Sequence, residues 1–162
     1  MKIEAATIAD WTEIEQIYRE GIRSGHATFQ TEDDVPDGVS WFASKLPNLI
    51  FKAVDEADNM VGWTALTAVS TRTVYAGVAE VSVYIAAIGR GKGVGFLLLS
   101  HLVAASEATG IWTLQSGIFP ENEASIHIHK KGGFRIVGRR EKIGQMNGVC
   151  RDVILMERRS QV

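Results

Sequence analysis

Residues 79–99 read AEVSVYIAAIGRGKGVGFLLL, and this stretch decides the predicted fold. Its first seven residues alternate between apolar and polar side chains, which is typical of a strand, and the apolar run from Phe96 onward predicts a helix. Four glycines from Gly89 to Gly95 separate the two segments. Such a turn lets backbone N–H groups and the positive end of the helix dipole approach a phosphate. The stretch therefore predicts a strand, an anion-binding turn and a helix.

Two common nucleotide motifs fit this turn poorly. A P-loop places Ser or Thr directly after Gly-Lys, but here Gly93 follows Lys92. In the dinucleotide pattern G-x-G-x-x-G that starts at Gly89, the third glycine falls where Val94 stands. The pattern that does fit is R-x-x-G-x-G over residues 90–95, and an ordinary tight turn is the alternative interpretation.

Hydrophobic periodicity and turn signals divide the rest of the chain into short strands and helices. The predicted elements are a strand Lys2–Ala6, a helix after the Thr7–Asp10 cap, a short helix Val39–Leu46, strands Leu49–Val54, Val61–Val69 and Ala79–Ile85, a helix Lys92–Thr109, a strand Ile111–Ile118, a helix Asn122–Lys131, and strands Phe134–Glu141 and Arg151–Arg158. The turn-rich segment Gly25–Gly38 is a candidate substrate wall. This order predicts an α/β protein with an antiparallel meander followed by a strand-helix-strand unit.

Composition favours one globular domain over residues 1–162, because 46% of the residues are hydrophobic and 22% are charged. A net charge of -2 gives no broad electrostatic reason to expect nucleic acid or an anionic membrane as a partner. The apolar stretch Gly93–Ala105 is too short to span a bilayer. One cysteine, Cys150, excludes a disulfide framework, and Met1–Glu4 lacks the apolar core of a signal peptide, which predicts a cytoplasmic protein.

Several motifs in a fixed order resemble the phosphinothricin acetyltransferase branch of the GNAT acetyltransferases. They are the R-x-x-G-x-G turn, Glu80–Ile85, Asn122–Phe134, Gly144, Gly148, Arg151-Asp152, and the earlier Ile17-Tyr18, Ala27–Phe29 and Trp41-Phe42. The resemblance covers nearly the whole chain. It implies the GNAT fold, a mixed sheet with flanking helices whose fourth and fifth strands splay to admit the pantetheine arm of acetyl-CoA. It also implies acetyl-CoA as cosubstrate, direct transfer without a metal, and a homodimer.

The same resemblance implies a cofactor site at the strand end, the turn and the second helix start. Its residues are Val81, Val83, Ile85, Arg90, Gly91, Lys92, Gly93, Val94, Gly95, Asn122 and Ser125. Asn122 also fits the simpler role of a helix cap, and the two roles are compatible.

Two residues are candidate catalysts for acetyl transfer, which needs a neutral amine and a proton for the departing thiolate. Strand alternation places Glu80 on the face opposite Val81 and Val83, and the matching glutamate of the resembled branch is its proposed base. A strand glutamate paired with an arginine is the alternative. His129 occupies the helix position where many GNAT enzymes carry the tyrosine that protonates the thiolate, so its role as acid or base stays open.

Metal and covalent chemistry are not favoured by the remaining candidates. His127 and His129 lie about 200° apart around a helix and cannot hold one metal from a common face. Cys150 is better explained as a small buried residue than as an acetyl carrier. We therefore expect no metal and no covalent acyl-enzyme.

The acceptor is expected to be a small-molecule amine. Substrates of the resembled branch are amino acids and analogues, so a carboxylate must be anchored, and Arg72 and Tyr75 precede the Glu80 strand. Arg72 fits the description of a solvated loop residue equally well, and Phe29 fits either a pocket wall or the core. The alternatives are a GNAT enzyme that acts on a protein N-terminus or a polyamine, and a non-catalytic coenzyme A sensor.

Overall fold

The computed structural model describes residues Met1–Val162 and contains seven strands and four helices. The strands are β1 Lys2–Ala5, β2 Ile50–Val54, β3 Met60–Ala68, β4 Val78–Ile85, β5 Thr113–Ile118, β6 Arg135–Met146 and β7 Val149–Arg159. The helices are α1 Trp11–Ser24, α2 Gly38–Ala43, α3 Val94–Ala108 and α4 Glu123–Lys131. The predicted α/β class and the order of elements are confirmed. None of the four helices combines the length and the apolar character needed to cross a bilayer.

All seven strands join one mixed sheet in the order β1-β2-β3-β4-β5-β7-β6. Every neighbouring pair is antiparallel except β4 and β5, which run parallel. The parallel pair is joined through α3, as the predicted strand-helix-strand unit requires. The predicted antiparallel meander corresponds to β2, β3 and β4.

The sheet forks between β4 and β5. Their pairing begins at Val78 with Thr113 and ends at Glu80 with Gln115. Both strands continue beyond that pair, β4 to Ile85 and β5 to Ile118, without further pairing to each other. The splay implied by the family resemblance is therefore present, and Glu80 stands at its apex.

Hydrophobic packing covers both faces of the sheet. On one face α3 contributes fully buried Leu99 and Leu102 to a cluster with Leu66 and Met156. On the other face the apolar residues of α1 pack against Trp41 of α2 and Trp63 of β3. The α1 residues are Ile14, Ile17, Tyr18 and Ile22. The central strands are therefore covered on both faces, whereas β6 stays largely exposed.

Helix α3 starts two residues later than the sequence predicted. Gly91 and Gly93 adopt φ values of 73° and 77°, in the left-handed region that a right-handed helix cannot contain. The helix therefore starts at Val94 rather than at Lys92. The positive φ values of Gly91 and Gly93 therefore determine where the turn ends and the helix begins.

The β6–β7 hairpin is longer than predicted. Its strands extend to Met146 and Val149 around a two-residue turn, Asn147-Gly148, in which both φ values are positive. Such Asn-Gly turns match the twist of a hairpin. The predicted bounds stopped short because residues 142–151 lack a clear apolar alternation.

Candidate active site

Two cavities meet at the fork of the sheet. The first, here called the turn groove, has a volume of about 630 Å³ and follows the end of β4, the glycine turn and the start of α4. The second, here called the fork pocket, has a volume of about 470 Å³ and lies between β4, β5 and the β6–β7 hairpin. The residues that line both cavities are His26, Ala27, Val83, Tyr84, Asn122 and Ser125. Ligands in the two cavities can therefore meet at the end of β4.

One end of the turn groove has the features that favour an anion. Gly93 caps the N-terminus of α3 with no side chain occupying the first helical N–H groups, so these donors remain available. A Cβ atom added at Gly91 or Gly93 would meet no other atom within 4 Å. Glycine is needed there for the backbone conformation, not for space. Arg90 also lines the groove and adds a positive charge to the helix dipole.

The fork pocket is lined by Glu80, the last residue of β4 that pairs with β5. Gln115 of β5 donates a hydrogen bond from Nε2 to Glu80 Oε2 over 3.2 Å. Glu80 forms no salt bridge, so the alternative of a strand glutamate paired with an arginine does not describe this structure. Its carboxylate is exposed and available to a ligand.

Lys45 approaches the same carboxylate from the segment after α2. Its Nζ donates to Thr67 Oγ1 over 3.2 Å, and Thr67 is the cross-strand neighbour of Glu80. Burial lowers the pKa of the Lys45 ammonium, and the negative charge of Glu80 opposes that shift in part. Glu80 therefore lies between a neutral amide on β5 and a cation on the β3 side.

His129 is almost fully buried on α4, with 2% of its surface exposed, and the residue belongs to the lining of the fork pocket. Nδ1 lies 2.7 Å from the carbonyl oxygen of Ser125. A carbonyl oxygen only accepts, so Nδ1 carries the hydrogen and Nε2 of the neutral ring has a free lone pair. Nε2 has no partner in the structure. Burial lowers the pKa of the imidazole and so favours the neutral ring. The hydrogen bond to Ser125 opposes this shift in part.

The start of α4 is tied to the facing loop by Asn122. Its Oδ1 accepts from the Ser125 backbone N–H over 3.2 Å, and its Nδ2 donates to the carbonyl of His26 over 3.3 Å. Asn122 thus has the capping role that the sequence left open, and it also lines both cavities.

The structure brings most of the predicted cofactor residues to the turn groove. Those that line it are Val83, Ile85, Arg90, Gly91, Gly93, Val94, Gly95, Asn122 and Ser125. Val81 lines the fork pocket instead, and Lys92 lines neither cavity. The roles of these residues in cofactor binding stay predictions.

The three predicted substrate residues are not brought together. Phe29 lines the fork pocket and packs edge-on against Phe119, with ring centroids 4.8 Å apart. Arg72 and Tyr75 lie in the exposed turn before β4, outside the lining of both cavities. The Arg72 guanidinium lies 5.6 Å from the centre of the Tyr75 ring.

Arg151 of β7 holds the loop after α1 against the cleft, a role that sequence reasoning missed. Its guanidinium donates to the Gly25 carbonyl and, over 3.2 Å, to Glu121 Oε2. It also lies 3.8 Å from the centre of the Phe119 ring. The Arg151-Asp152 pair was part of the family resemblance, but nothing local predicts a contact to Gly25, 126 positions earlier in the chain.

A forked mixed sheet, a glycine turn with free helix N–H groups and a groove that leads to a carboxylate form the arrangement expected of an acyltransferase that uses an acyl-coenzyme A donor. A profile of the acetyltransferase (GNAT) domain matches residues 3–155. The chain therefore belongs to the GNAT acetyltransferase family, and it is an acetyl-CoA-dependent N-acetyltransferase.

Individual relatives support the same family. The chain is 30% identical over 158 residues to the L-methionine sulfoximine/L-methionine sulfone acetyltransferase of Pseudomonas aeruginosa, covering 96% of this chain and 92% of the relative. It superposes with a TM-score of 0.88 and 30% identity on a GNAT phosphinothricin acetyltransferase from Sinorhizobium meliloti in complex with AcCoA, covering 98% of this chain and 87% of that one. A ribosomal-protein-alanine N-acetyltransferase from Brucella melitensis superposes with a TM-score of 0.89 and 26% identity, covering 99% of this chain and 100% of that one.

Acetyl-CoA is the cosubstrate, and the turn groove fits it on observations of this chain. The free N–H groups at the start of α3 suit a pyrophosphate, and the unpaired edge of β4 offers backbone groups to a pantetheine amide.

We expect Gly93→Ala to weaken acetyl-CoA binding and to destabilise the fold. A φ of 77° costs an L-residue about 1–2 kcal/mol, and relaxing it rotates the N–H groups that face the groove. The KM for acetyl-CoA should rise about tenfold, with a smaller change in the KM for the acceptor. Steady-state kinetics and thermal unfolding check this. Gly138→Ala is the control, because Gly138 has ordinary backbone angles and open space around it. An unchanged KM for acetyl-CoA in Gly93→Ala would contradict the assignment.

Proposed function

We propose that this enzyme transfers the acetyl group of acetyl-CoA to the amino group of a small amino acid or analogue, of the methionine sulfone, methionine sulfoximine or phosphinothricin type. The observation that carries the proposal is the fork pocket, which joins the turn groove and contains both Glu80 and neutral His129. Relatives named for these acceptors at about 30% identity support it. Transfer is direct, within a ternary complex of enzyme, acetyl-CoA and acceptor.

Glu80 is the base of this proposed reaction. An acceptor that enters as an ammonium must lose a proton before its nitrogen can attack. The Glu80 carboxylate takes that proton directly or through one water. The nitrogen then attacks the thioester carbonyl, the carbon–sulfur bond breaks, and the electron pair leaves with the thiolate. The nitrogen loses a second proton as the amide forms, and the thiolate gains one to become the coenzyme A thiol. The products are the N-acetyl compound, coenzyme A and the proton that Glu80 first took up and then releases.

His129 assists the base rather than protonating the thiolate. In the tautomer that the Ser125 carbonyl selects, Nε2 is a hydrogen-bond acceptor and has no proton to give. A neutral, buried imidazole of this kind orients a water or the incoming amine toward Glu80. The structure thus supports one of the two roles that the sequence left open.

The competing acceptors fit this pocket less well. A polyamine site should be acidic, whereas Glu80 is the only Asp or Glu in the lining of the fork pocket. A protein N-terminus is the second candidate, favoured by the similarity to the ribosomal-protein-alanine N-acetyltransferase. The presence of a base and an open acceptor pocket argues against a non-catalytic coenzyme A sensor.

The test is release of coenzyme A thiol from acetyl-CoA with a panel of acceptors. We expect rapid turnover with L-methionine sulfone, L-methionine sulfoximine and phosphinothricin, slower turnover with ordinary amino acids, and little with spermidine or N-terminal peptides. Mass spectrometry of the N-acetyl product is the control for simple thioester hydrolysis. Turnover confined to peptides would identify a protein N-terminus as the acceptor. No turnover with any amine would support a non-catalytic coenzyme A sensor.

We propose further that residues 1–162 act as one catalytic domain and assemble as a homodimer in the cytoplasm. Apolar side chains exposed on the β6–β7 hairpin support the dimer. They are Ile136, Val137, Ile143 and Val149, each at least 44% exposed. The thiol of Cys150 is exposed rather than buried as the sequence suggested, and a free exposed thiol fits a reducing compartment that also supplies acetyl-CoA. Light scattering of the purified protein tests the dimer.

A further inference from the structure

Arg140 of β6 is the only lysine or arginine in the lining of the fork pocket. It faces the same cavity as Glu80, the only carboxylate there. The pocket therefore presents one negative and one positive group, which is the pattern that complements a zwitterion.

The guanidinium of Arg140 is not engaged by the protein. It makes no salt bridge and no side-chain hydrogen bond, in contrast to the other arginines of the β6–β7 hairpin. The engaged pairs are Arg135–Glu157, Arg139–Asp152, Arg151–Glu121, Arg158–Glu107 and Arg159–Glu157. Arg140 is thus the hairpin arginine with its full set of donors free for a ligand.

Strand register explains why Arg140 and not its neighbour faces the pocket. Arg140 pairs with Val153, which also lines the cavity, whereas Arg139 pairs with buried Ile154. Successive side chains of a strand point to opposite faces, so the two arginines are separated by the sheet. Arg139 is held on its own face by Asp152.

The backbone beside Arg140 is fixed by specific contacts. The register shifts between Arg140 and Gly144, and Lys142 takes a φ of 48° within that irregular segment. Asp152 Oδ1 accepts from the Lys142 backbone N–H over 2.8 Å, which fixes the segment. A Cβ atom added at Gly144 would lie 2.5 Å from the Phe29 ring, so the hairpin also packs closely against the opposite wall. These contacts fix the backbone beside Arg140, whose exposed side chain lies in the lining of the pocket.

We propose that Arg140 binds the anionic group of the acceptor and thereby selects amino acids over simple amines. The inference rests on the proposed function, and it assigns to Arg140 the role that the sequence suggested for Arg72. A guanidinium binds a carboxylate through two parallel hydrogen bonds, which fixes the orientation of the acceptor as well as its affinity. With the anion held at β6, the ammonium is directed toward Glu80 on β4.

The anion has two chemical sources in the proposed acceptors. Every α-amino acid offers its α-carboxylate, and phosphinothricin adds a phosphinate on the side chain. L-methionine sulfone carries only the carboxylate, and its carboxamide carries no anion. Comparing these three acceptors separates the two sources.

The kinetic test compares Arg140→Gln and Arg140→Lys with wild type. For L-methionine sulfone we expect Arg140→Gln to lower kcat/KM about 10- to 100-fold, mainly through KM, because a hydrogen-bonded charge pair is lost. The carboxamide should react equally slowly with wild type and variant, so discrimination between acid and amide disappears. Arg140→Lys should recover part of the discrimination between acid and amide. If only phosphinothricin is affected, the phosphinate is the bound anion.

Arg135→Gln is the matched control, since it removes the same charge from the same strand at a residue outside the lining of both cavities. Equal losses for acid and amide in Arg140→Gln, or equal losses in the Arg135 control, would overturn the proposal. A binding titration of L-methionine sulfone in the presence of coenzyme A separates this inference from the proposed function. Turnover of amino acids without an Arg140 effect refutes the anchor alone. Binding that depends on Arg140 without any turnover supports the anchor and refutes the function, and no binding by wild type refutes both.

Discussion

Glu80→Gln is expected to lower kcat about 10²- to 10⁴-fold, the range that a positioned general base contributes. Glutamine has the shape of glutamate and can still pair with Gln115, so the fork of the sheet should persist. The variant cannot take a proton from the acceptor ammonium. The KM for acetyl-CoA should stay within about twofold of wild type, because Glu80 lies outside the lining of the turn groove.

Coenzyme A release across pH is the measurement for Glu80→Gln. Raising the pH supplies more neutral amine from solution, so the deficit should shrink at alkaline pH if proton removal is what the variant lacks. Glu56→Gln is the control, because this carboxylate lies in the exposed turn between β2 and β3. A Glu80→Gln enzyme with wild-type kcat at every pH would exclude Glu80 as the base.

The parts of the fold that the sequence predicted well are those whose signals are local. Alternation along residues 79–85 and the glycines that follow specify strand, turn and helix within one short stretch. The fork between β4 and β5 came from the family resemblance, because no local pattern states where two distant strands stop pairing. The hairpin bounds were wrong for a related reason, since its polar residues find their cross-strand partners only in the folded sheet.

The site shows the same division. Glu80 and the glycine turn stand next to each other in the chain, and both were predicted. Arg140 was missed because residues 139–142 read RREK, and the composition of this run does not tell which arginine faces a cavity. That choice depends on register and on an irregularity held by Asp152. Lys45 was missed because it approaches Glu80 from a segment 35 residues earlier in the sequence, through a hydrogen bond to Thr67.

The second large effect is expected at His129. Phenylalanine keeps the ring volume in the contact with Phe134, where the ring centroids lie 5.0 Å apart, but it removes the Nε2 acceptor. We expect His129→Phe to lower kcat about 10²-fold with little change in the KM for acetyl-CoA. Rates in thiol-release assays across pH check this. Because burial lowers the pKa of His129, the imidazole should stay neutral into mildly acidic solution. A wild-type rate in His129→Phe would contradict its role.

The same burial predicts a stability change with pH. An unfolded histidine has a pKa of about 6.5, and the folded value is lower, so the unfolded state binds more protons between the two values. The stabilising contribution of neutral His129 is present above about pH 6.5 and is lost as pH falls through the folded pKa. His129→Phe should lack this contribution to the pH dependence. Urea unfolding of both proteins at pH 7.5 and pH 5 measures it, and parallel losses would contradict the buried neutral imidazole.

A double variant distinguishes the two roles considered for His129. If Nε2 orients the proton path to Glu80, both residues act on one event, and Glu80→Gln/His129→Phe should be about as slow as the slower single variant. If His129 instead protonates the thiolate, the two residues act on separate protons, and the logarithms of the two losses should add. The bond from Nδ1 to the Ser125 carbonyl favours the first result, because it leaves Nε2 without a hydrogen to donate. Additive losses would reverse that assignment while keeping Glu80 as the base.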